Sequence, residues 1–220
     1  MIRSEHVQSY LDALRPERDP LLAEMEDLAR RDGVPIVEWE TGRFLATLTA
    51  GLAPSTVLEV GTAIGYSTVH IARELPRGSK IITLERDPDR IAHARAFWER
   101  GEVADRIQLV EGDALESLEG LPGPFDLVFL DATKTEVSAY LQRLEGKLAP
   151  RCVLVVDNLL MSGEAALPED ADTRWSRDSL AAGRAAAREL MQSGEWLFSL
   201  LPIGDGVGFA ARRAPGRSAG

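Results

Sequence analysis

The stretch TVLEVGTAIGYST, residues 56–68, decides the fold. Its first five residues form an apolar run of strand length, the chain then turns through Gly61 and Gly65, and a helix begins near Tyr66 to Thr68. A strand that runs through glycines into a helix opens a βαβ unit. The same rhythm continues downstream, where KIITLE (80–85), RIQLV (106–110), FDLVFLD (125–131) and CVLVVD (152–157) alternate with helical patterns. That alternation predicts an α/β fold with a doubly wound, mostly parallel sheet.

Local signals sharpen the pattern. Asp87 before Pro88 predicts a capped helix start, and Thr133 with Glu136 has capping-box spacing. The helix after Thr133 is expected to carry Val137, Tyr140, Leu141, Leu144 and Leu148 on one face. A helix near 176–193 precedes EWLFSLL and GVGFAARR, two strands joined by PIGD, so an antiparallel hairpin completes a seven-stranded sheet. Upstream, Leu21, Leu22, Met25, Leu28 and Ala29, then Phe44, Leu45, Leu48 and Leu52, recur at helical spacing. The expected organisation is one domain over 1–220: a helical cap over 1–55, the sheet-bearing core over 56–212 and a disordered tail over 213–220.

Composition narrows the function. A length of 220 residues suits one full hydrophobic core, and a net charge of -10 repels a phosphate backbone, which argues against nucleic acid as partner. No run approaches the roughly 20 apolar residues needed to span a bilayer, and MIRSEHVQSY lacks the core of a signal peptide, so a cytoplasmic protein without membrane contact is expected. Cys152 is the sole cysteine and reads as a core residue. Only Lys80, Lys134 and Lys147 are lysines, so a lysine inside a motif stands out.

In such a sheet ligands bind beyond the carboxyl ends of the strands, and acids stand at those ends. Glu59 lies on the first strand, Glu85 ends the second where a carboxylate can accept ribose hydroxyls, and Asp113 follows the third in EGDALE, where it serves equally as a helix cap. Asp131 ends the fourth with Lys134 three residues on, and Asp157 and Asn158 end the fifth. Neighbouring parallel strands bring two carboxylates and one amide oxygen together. That hard-oxygen set suits Mg²⁺, or Mn²⁺ or Ca²⁺, and not zinc.

Gly61 and Gly65 do not have the G-x-G-x-x-G spacing of a dinucleotide site. The segment VLEVGTAIGYST instead resembles the first motif of class I methyltransferases, which have a Rossmann-like fold. The resemblance implies S-adenosylmethionine as cofactor, with Glu59 near its methionine part and Asp113 near its adenine. Gly61, Gly65, Ser67, Glu85 and Asp131 complete the expected cofactor set. From TGRFL (41–45) to PIGDGVGFA, and above all at Asp131, Lys134, Asp157 and Asn158, the chain is similar to the cation-dependent O-methyltransferases of the catechol and caffeoyl-CoA type, departing from them at Thr133 in DATK and in DNLLMSG. The similarity implies Asp131, Asp157 and Asn158 as metal ligands, Lys134 as the catalytic residue and a homodimer.

The expected reaction is methyl transfer to a hydroxyl. A phenol ionises near pH 10, so a cation that stabilises the oxyanion and a lysine that takes the proton would both help. Two neighbouring oxygens chelate an ion, which points to a small aromatic vicinal diol. Substrate-shaping residues are expected in the N-terminal helices and in MSGEAALPEDADTRW (161–175), where Trp39, Met161 and Trp175 serve equally as pocket wall or as packing. The competing readings are a metal-independent N- or carboxyl-methyltransferase and a non-catalytic S-adenosylmethionine-binding module. A nicotinamide-dependent reductase lacks both its glycine fingerprint and a Tyr-x-x-x-Lys pair here.

Overall fold

The computed structural model describes residues 5–214, so most of the expected tail, residues 215–220, lies outside the described residues. Three helices come first: α1 (Glu5–Ala13), α2 (Pro20–Asp32) and α3 (Trp39–Leu52). Strands and helices then alternate through β1 (Thr56–Val60), α4 (Tyr66–Glu74), β2 (Lys80–Glu85), α5 (Pro88–Arg100), β3 (Ile107–Glu111), α6 (Ala114–Gly120), β4 (Phe125–Leu130), α7 (Val137–Leu144) and β5 (Leu148–Val156). The chain continues with α8 (Arg177–Gln192), β6 (Trp196–Leu201) and β7 (Val207–Arg212).

The seven strands form one sheet in the order β3-β2-β1-β4-β5-β7-β6. The first five are parallel, while β7 runs antiparallel to both β5 and β6. The hairpin therefore turns back into the sheet, and its second strand takes the inner position beside β5. Because β1 lies between β2 and β4, the loops after β1 and β4 diverge and leave a crevice at the strands' carboxyl ends.

Both faces of the sheet are covered, which explains why its central strands read as continuous apolar runs. Val57, Ile81, Leu127 and Val155 pack with Leu45, Val69 and Phe97 on one side, and Leu58, Ile82, Val128 and Leu154 with Leu118, Tyr140 and Leu190 on the other. Burial pushes the Cys152 thiol up to about 12. Among the described residues no helix is long and apolar enough to cross a membrane.

Three local expectations need correction. Leu148 belongs to β5, because α7 stops at Leu144 and the chain turns through Gly146 at φ +77°. Thr133 makes no side-chain cap: a tight turn over Lys134–Glu136 precedes α7, and Glu136 accepts the Tyr140 hydroxyl instead of closing a capping box. Arg106 stands before β3 and donates to the Ala72 and Leu75 carbonyls. The Asp87 cap is present, accepting the amides of Asp89 and Arg90.

The N-terminal helices are pinned to the core at the start of α4. Glu26 of α2 accepts Arg15 at 2.5 Å, Arg18 at 2.6 Å and the Tyr66 hydroxyl at 2.8 Å. One turn later His70 meets the Tyr66 ring edge-on and presses against Gly42 of α3, where a Cβ would lie 2.6 Å from the imidazole. Burial first, then the Arg73 and Arg43 charges, push the His70 imidazole down to about 4.

His70 is therefore neutral in the folded chain and gains a proton near pH 6.5 when unfolded, so stability falls as pH drops from about 6.5 to about 4. Denaturant unfolding at pH 7 and pH 5 should show wild type losing about 2 kcal/mol more than His70→Phe. An equal loss in both proteins would refute the assignment.

Candidate active site

A cavity of about 370 Å³ occupies the crevice, with Gly61, Glu85, Asp113, Asp131, Lys134 and Asn158 on its wall. Of the ten residues expected at the site, Glu59, Gly65, Ser67 and Asp157 stand behind that wall. Ala63, Arg86, Tyr140 and Ser179 also line it, none of them marked as a site residue by the sequence, and so does Trp175, which the sequence leaves between pocket wall and packing. Met161 and Trp39 do not reach this cavity. Met161 is fully buried, against Gly183, and Trp39 lies under the Arg15 guanidinium, 4.9 Å from its carbon, at a separate cleft.

Glu59 faces α4 and has no solvent exposure. The Ser67 hydroxyl donates to one of its oxygens at 2.5 Å, and Thr68 and Thr83 donate to the other at 2.5 and 2.6 Å. Burial pushes its carboxyl up to about 7 against the pull of those three hydroxyls, and the Asp131 charge adds to the rise. Glu59 and Ser67 thus form one buried knot tying β1, β2 and α4 together beneath the glycine turn. The glycines serve the turn itself: a Cβ on Gly61 would lie 2.1 Å from the Asp131 carbonyl, and one on Gly65 would lie 2.3 Å from the Trp98 indole nitrogen.

Glu85 holds the rim of the cavity. One oxygen accepts the Ala63 amide at 2.8 Å, fixing that residue at φ +47°, and the other accepts the amides of Arg86 and Asp87. A non-glycine residue at positive φ is rarely legible in a sequence, which is why Ala63 was missed. Asp113 caps α6 through its contacts with the Leu115 and Glu116 amides, and its second oxygen is 3.8 Å from Arg86.

The other end of the cavity holds the ionic cluster. The parallel ladder runs past the ends of both strands, with the Asp131 amide on the Val60 carbonyl and the Asp157 amide on the Leu130 carbonyl, so the two acids emerge side by side. Asp131 keeps 23% side-chain exposure toward the cavity, and its low-polarity surroundings push its carboxyl up against the opposing charge of Lys134. Lys134 itself is buried, its Nζ 3.8 Å from Asp131 Oδ1. Asp157 is pushed up to about 8, by burial and then by the Asp131 charge.

Asn158 donates to Asp157 Oδ2 at 3.1 Å, which leaves its amide oxygen free for a ligand. Asp157 Oδ1 is buried with no partner among the described residues. A buried oxygen left unpaired costs about 1–3 kcal/mol, and two confined carboxylates repel. An oxygen-seeking cation would relieve both, so these residues fit one. Among the described residues no three His, Cys, Asp or Glu side chains gather as a metal cluster; this set is two carboxylates and an amide.

Beyond Asn158, itself at φ +54°, the backbone is left-handed again at Met161 and Ser162. Glu164 then closes this loop on itself: one oxygen accepts the amides of Arg174 and Trp175 at 3.0 and 3.1 Å, and the other accepts Arg174 Nε at 3.0 Å. The Trp175 amide, followed by the Arg174 contacts, holds the Glu164 carboxyl below the usual range.

A switch-point cavity entered by a glycine turn, with acids at successive strand ends and the sheet order found here, defines the class of S-adenosylmethionine-dependent methyltransferases. Within that class the chain belongs to the O-methyltransferase family, whose profile matches residues 16–213, and it is an S-adenosylmethionine-dependent O-methyltransferase. Catechol O-methyltransferase of Mycobacterium tuberculosis is 37% identical over 180 residues, covering 79% of this chain and 81% of the relative. A putative O-methyltransferase from Klebsiella pneumoniae superposes with a TM-score of 0.83 at 31% identity, covering 95% of this chain and 97% of the other. An O-methyltransferase from Bacillus cereus, solved in complex with SAH, gives 0.82 at 26% identity, covering 94% and 97%.

The Glu59 knot has a stability signature opposite to that of His70. A carboxyl raised from about 4.5 to about 7 stabilises the fold at low pH, and that contribution is lost as pH rises through about 7. Between pH 5 and pH 8, wild type should lose about 2–3 kcal/mol of unfolding free energy relative to Glu59→Gln, read from urea titrations at each pH. Parallel pH profiles for the two proteins would mean that Glu59 is ionised throughout.

Proposed function

We propose that the chain transfers the methyl group of S-adenosylmethionine to one hydroxyl of a small aromatic vicinal diol, and that a divalent cation, Mg²⁺ by preference, is required. The observation that carries this reading is the convergence of Asp131, Lys134 and Asn158 at one end of the cavity, with the unpartnered Oδ1 of Asp157 buried directly behind them. Catechol O-methyltransferase as the name of the Mycobacterium tuberculosis relative supports the acceptor class.

The cation would be held by oxygens of Asp131, Asp157 and Asn158; when bound, it lowers the pKa of a coordinated hydroxyl and fixes the direction of its oxygen. Lys134, confined beside Asp131, would receive the hydroxyl proton on Nζ as general base from its neutral form, which the charge of a cation held alongside favours. The methyl carbon leaves sulfur as it bonds to the acceptor oxygen, so the sulfonium charge is lost as the phenolate charge is quenched. Glu85 and the turn from Gly61 to Ala63 support the nucleoside end, with Asp113 beside the adenine and Asp131 between cofactor and acceptor. Glu59, Gly65 and Ser67 serve the cofactor from behind, by fixing that turn. The whole chain is proposed to act as one methyltransferase domain.

The test is transfer of labelled methyl from S-adenosylmethionine to a panel of catechols, with Mg²⁺ or with excess EDTA. EDTA should abolish transfer, and Asp157→Ala should lower kcat/KM by at least about 100-fold while cofactor affinity, read by calorimetry, holds within about twofold. Methylation indifferent to EDTA would instead favour a metal-independent N- or carboxyl-methyltransferase. Cofactor binding without transfer to any acceptor would favour a non-catalytic module.

A further inference from the structure

The loop between the proposed cation ligands and α8 is held by a clasp that the reaction itself does not require. Glu164 is 8% exposed, yet both its carboxylate oxygens are used within the same loop, ten and eleven residues along the chain. From outside, Arg184 of α8 donates to the carbonyls of Ala165 at 2.9 Å, Leu167 at 2.6 Å and Glu164 at 3.4 Å. The loop enters through left-handed residues at 158, 161 and 162, a conformation that persists only where its surroundings impose it. It leaves at Trp175, directly before Ser176, whose hydroxyl caps α8 by accepting the Ser179 amide. Trp175 and Ser179 line the cavity together with Lys134 and Asn158.

We propose that Glu164 is a specificity-determining positioning residue: by gripping the Trp175 amide it fixes the indole as a rigid wall at the acceptor end, limiting the size of the aromatic diol admitted. This rests on the acceptor class proposed above. A rigid aromatic wall gives a flat ring a stacking face and refuses substituents that project through its plane. A wall on a loose loop would yield to larger rings and hold small ones poorly.

Two measurements test the proposal, and the first needs no activity. Trp175 emission is isolated as the difference between each protein and its Trp175→Phe counterpart. In Glu164→Ala that emission should shift to the red and its acrylamide quenching should rise about twofold or more. In Glu164→Gln, whose one side-chain oxygen can still accept both amides, emission should stay near wild type. Unchanged Trp175 emission in Glu164→Ala overturns the clasp.

The second measurement compares a bare catechol with a catechol bearing a bulky ring substituent. Glu164→Ala should raise KM for the bare catechol by about tenfold with KM for S-adenosylmethionine within about twofold, and should narrow the preference between the two acceptors. Adding Glu164→Ala to Trp175→Ala should cost nothing further, because both changes remove one wall. Additive losses, or equal losses for both acceptors, overturn the specificity role. If wild type methylates neither catechol, the acceptor reading falls and this assignment falls with it, while the emission result still decides whether the clasp exists.

Discussion

Two carboxylates at the ends of adjacent parallel strands set the terms for everything around them. The ladder that aligns β4 with β5 leaves Asp131 and Asp157 no freedom to separate, and burial denies Asp157 the water that would screen it from the Asp131 charge. Such an arrangement persists only on a scaffold with stability in reserve. The doubly covered sheet provides it, and Lys134 supplies one compensating charge at close range. The unpaired Oδ1 of Asp157 marks what the protein atoms alone leave unsatisfied.

The end of the cavity proposed for the cofactor is organised by the opposite means. There the carboxylates are engaged by the protein itself: Glu59 by three hydroxyls, Glu85 by three backbone amides and one oxygen of Asp113 by the amides of the helix it caps. One end of the cavity is therefore preorganised by hydrogen bonds to its carboxylates, while the other keeps a buried carboxylate oxygen without a partner. That division suits a site in which one partner is always the same molecule and the other is chosen by chemistry.

The sheet was readable because its strands are buried on both faces and end at turn residues, so TVLEV and KIITLE give β1 and β2 to the residue. The acids at strand ends were readable for the same reason, since a carboxylate after an apolar run has few structural excuses. Depth was not readable. Nothing in the spacing of Glu59 and Ser67 distinguishes a residue on the cavity wall from one behind it; that depends on which face of β1 meets α4. The insertion of β7 between β5 and β6 was equally hidden, because a hairpin can dock by either strand. The Glu164 clasp joins residues ten apart across left-handed backbone, a geometry with no periodic signature.

That insertion also bears on the order in which the molecule can be completed during synthesis. β5 carries Asp157 and Asn158 at its end, yet one of its two hydrogen-bonded edges stays open until residues 207–212 have been made. Every residue that lines the cavity precedes that segment in the chain. A nascent polypeptide therefore holds all the chemistry of the site before it holds the strand that steadies it. Until then the exposed rim of β5 is a place where a chaperone, or a neighbouring copy, could pair in its stead.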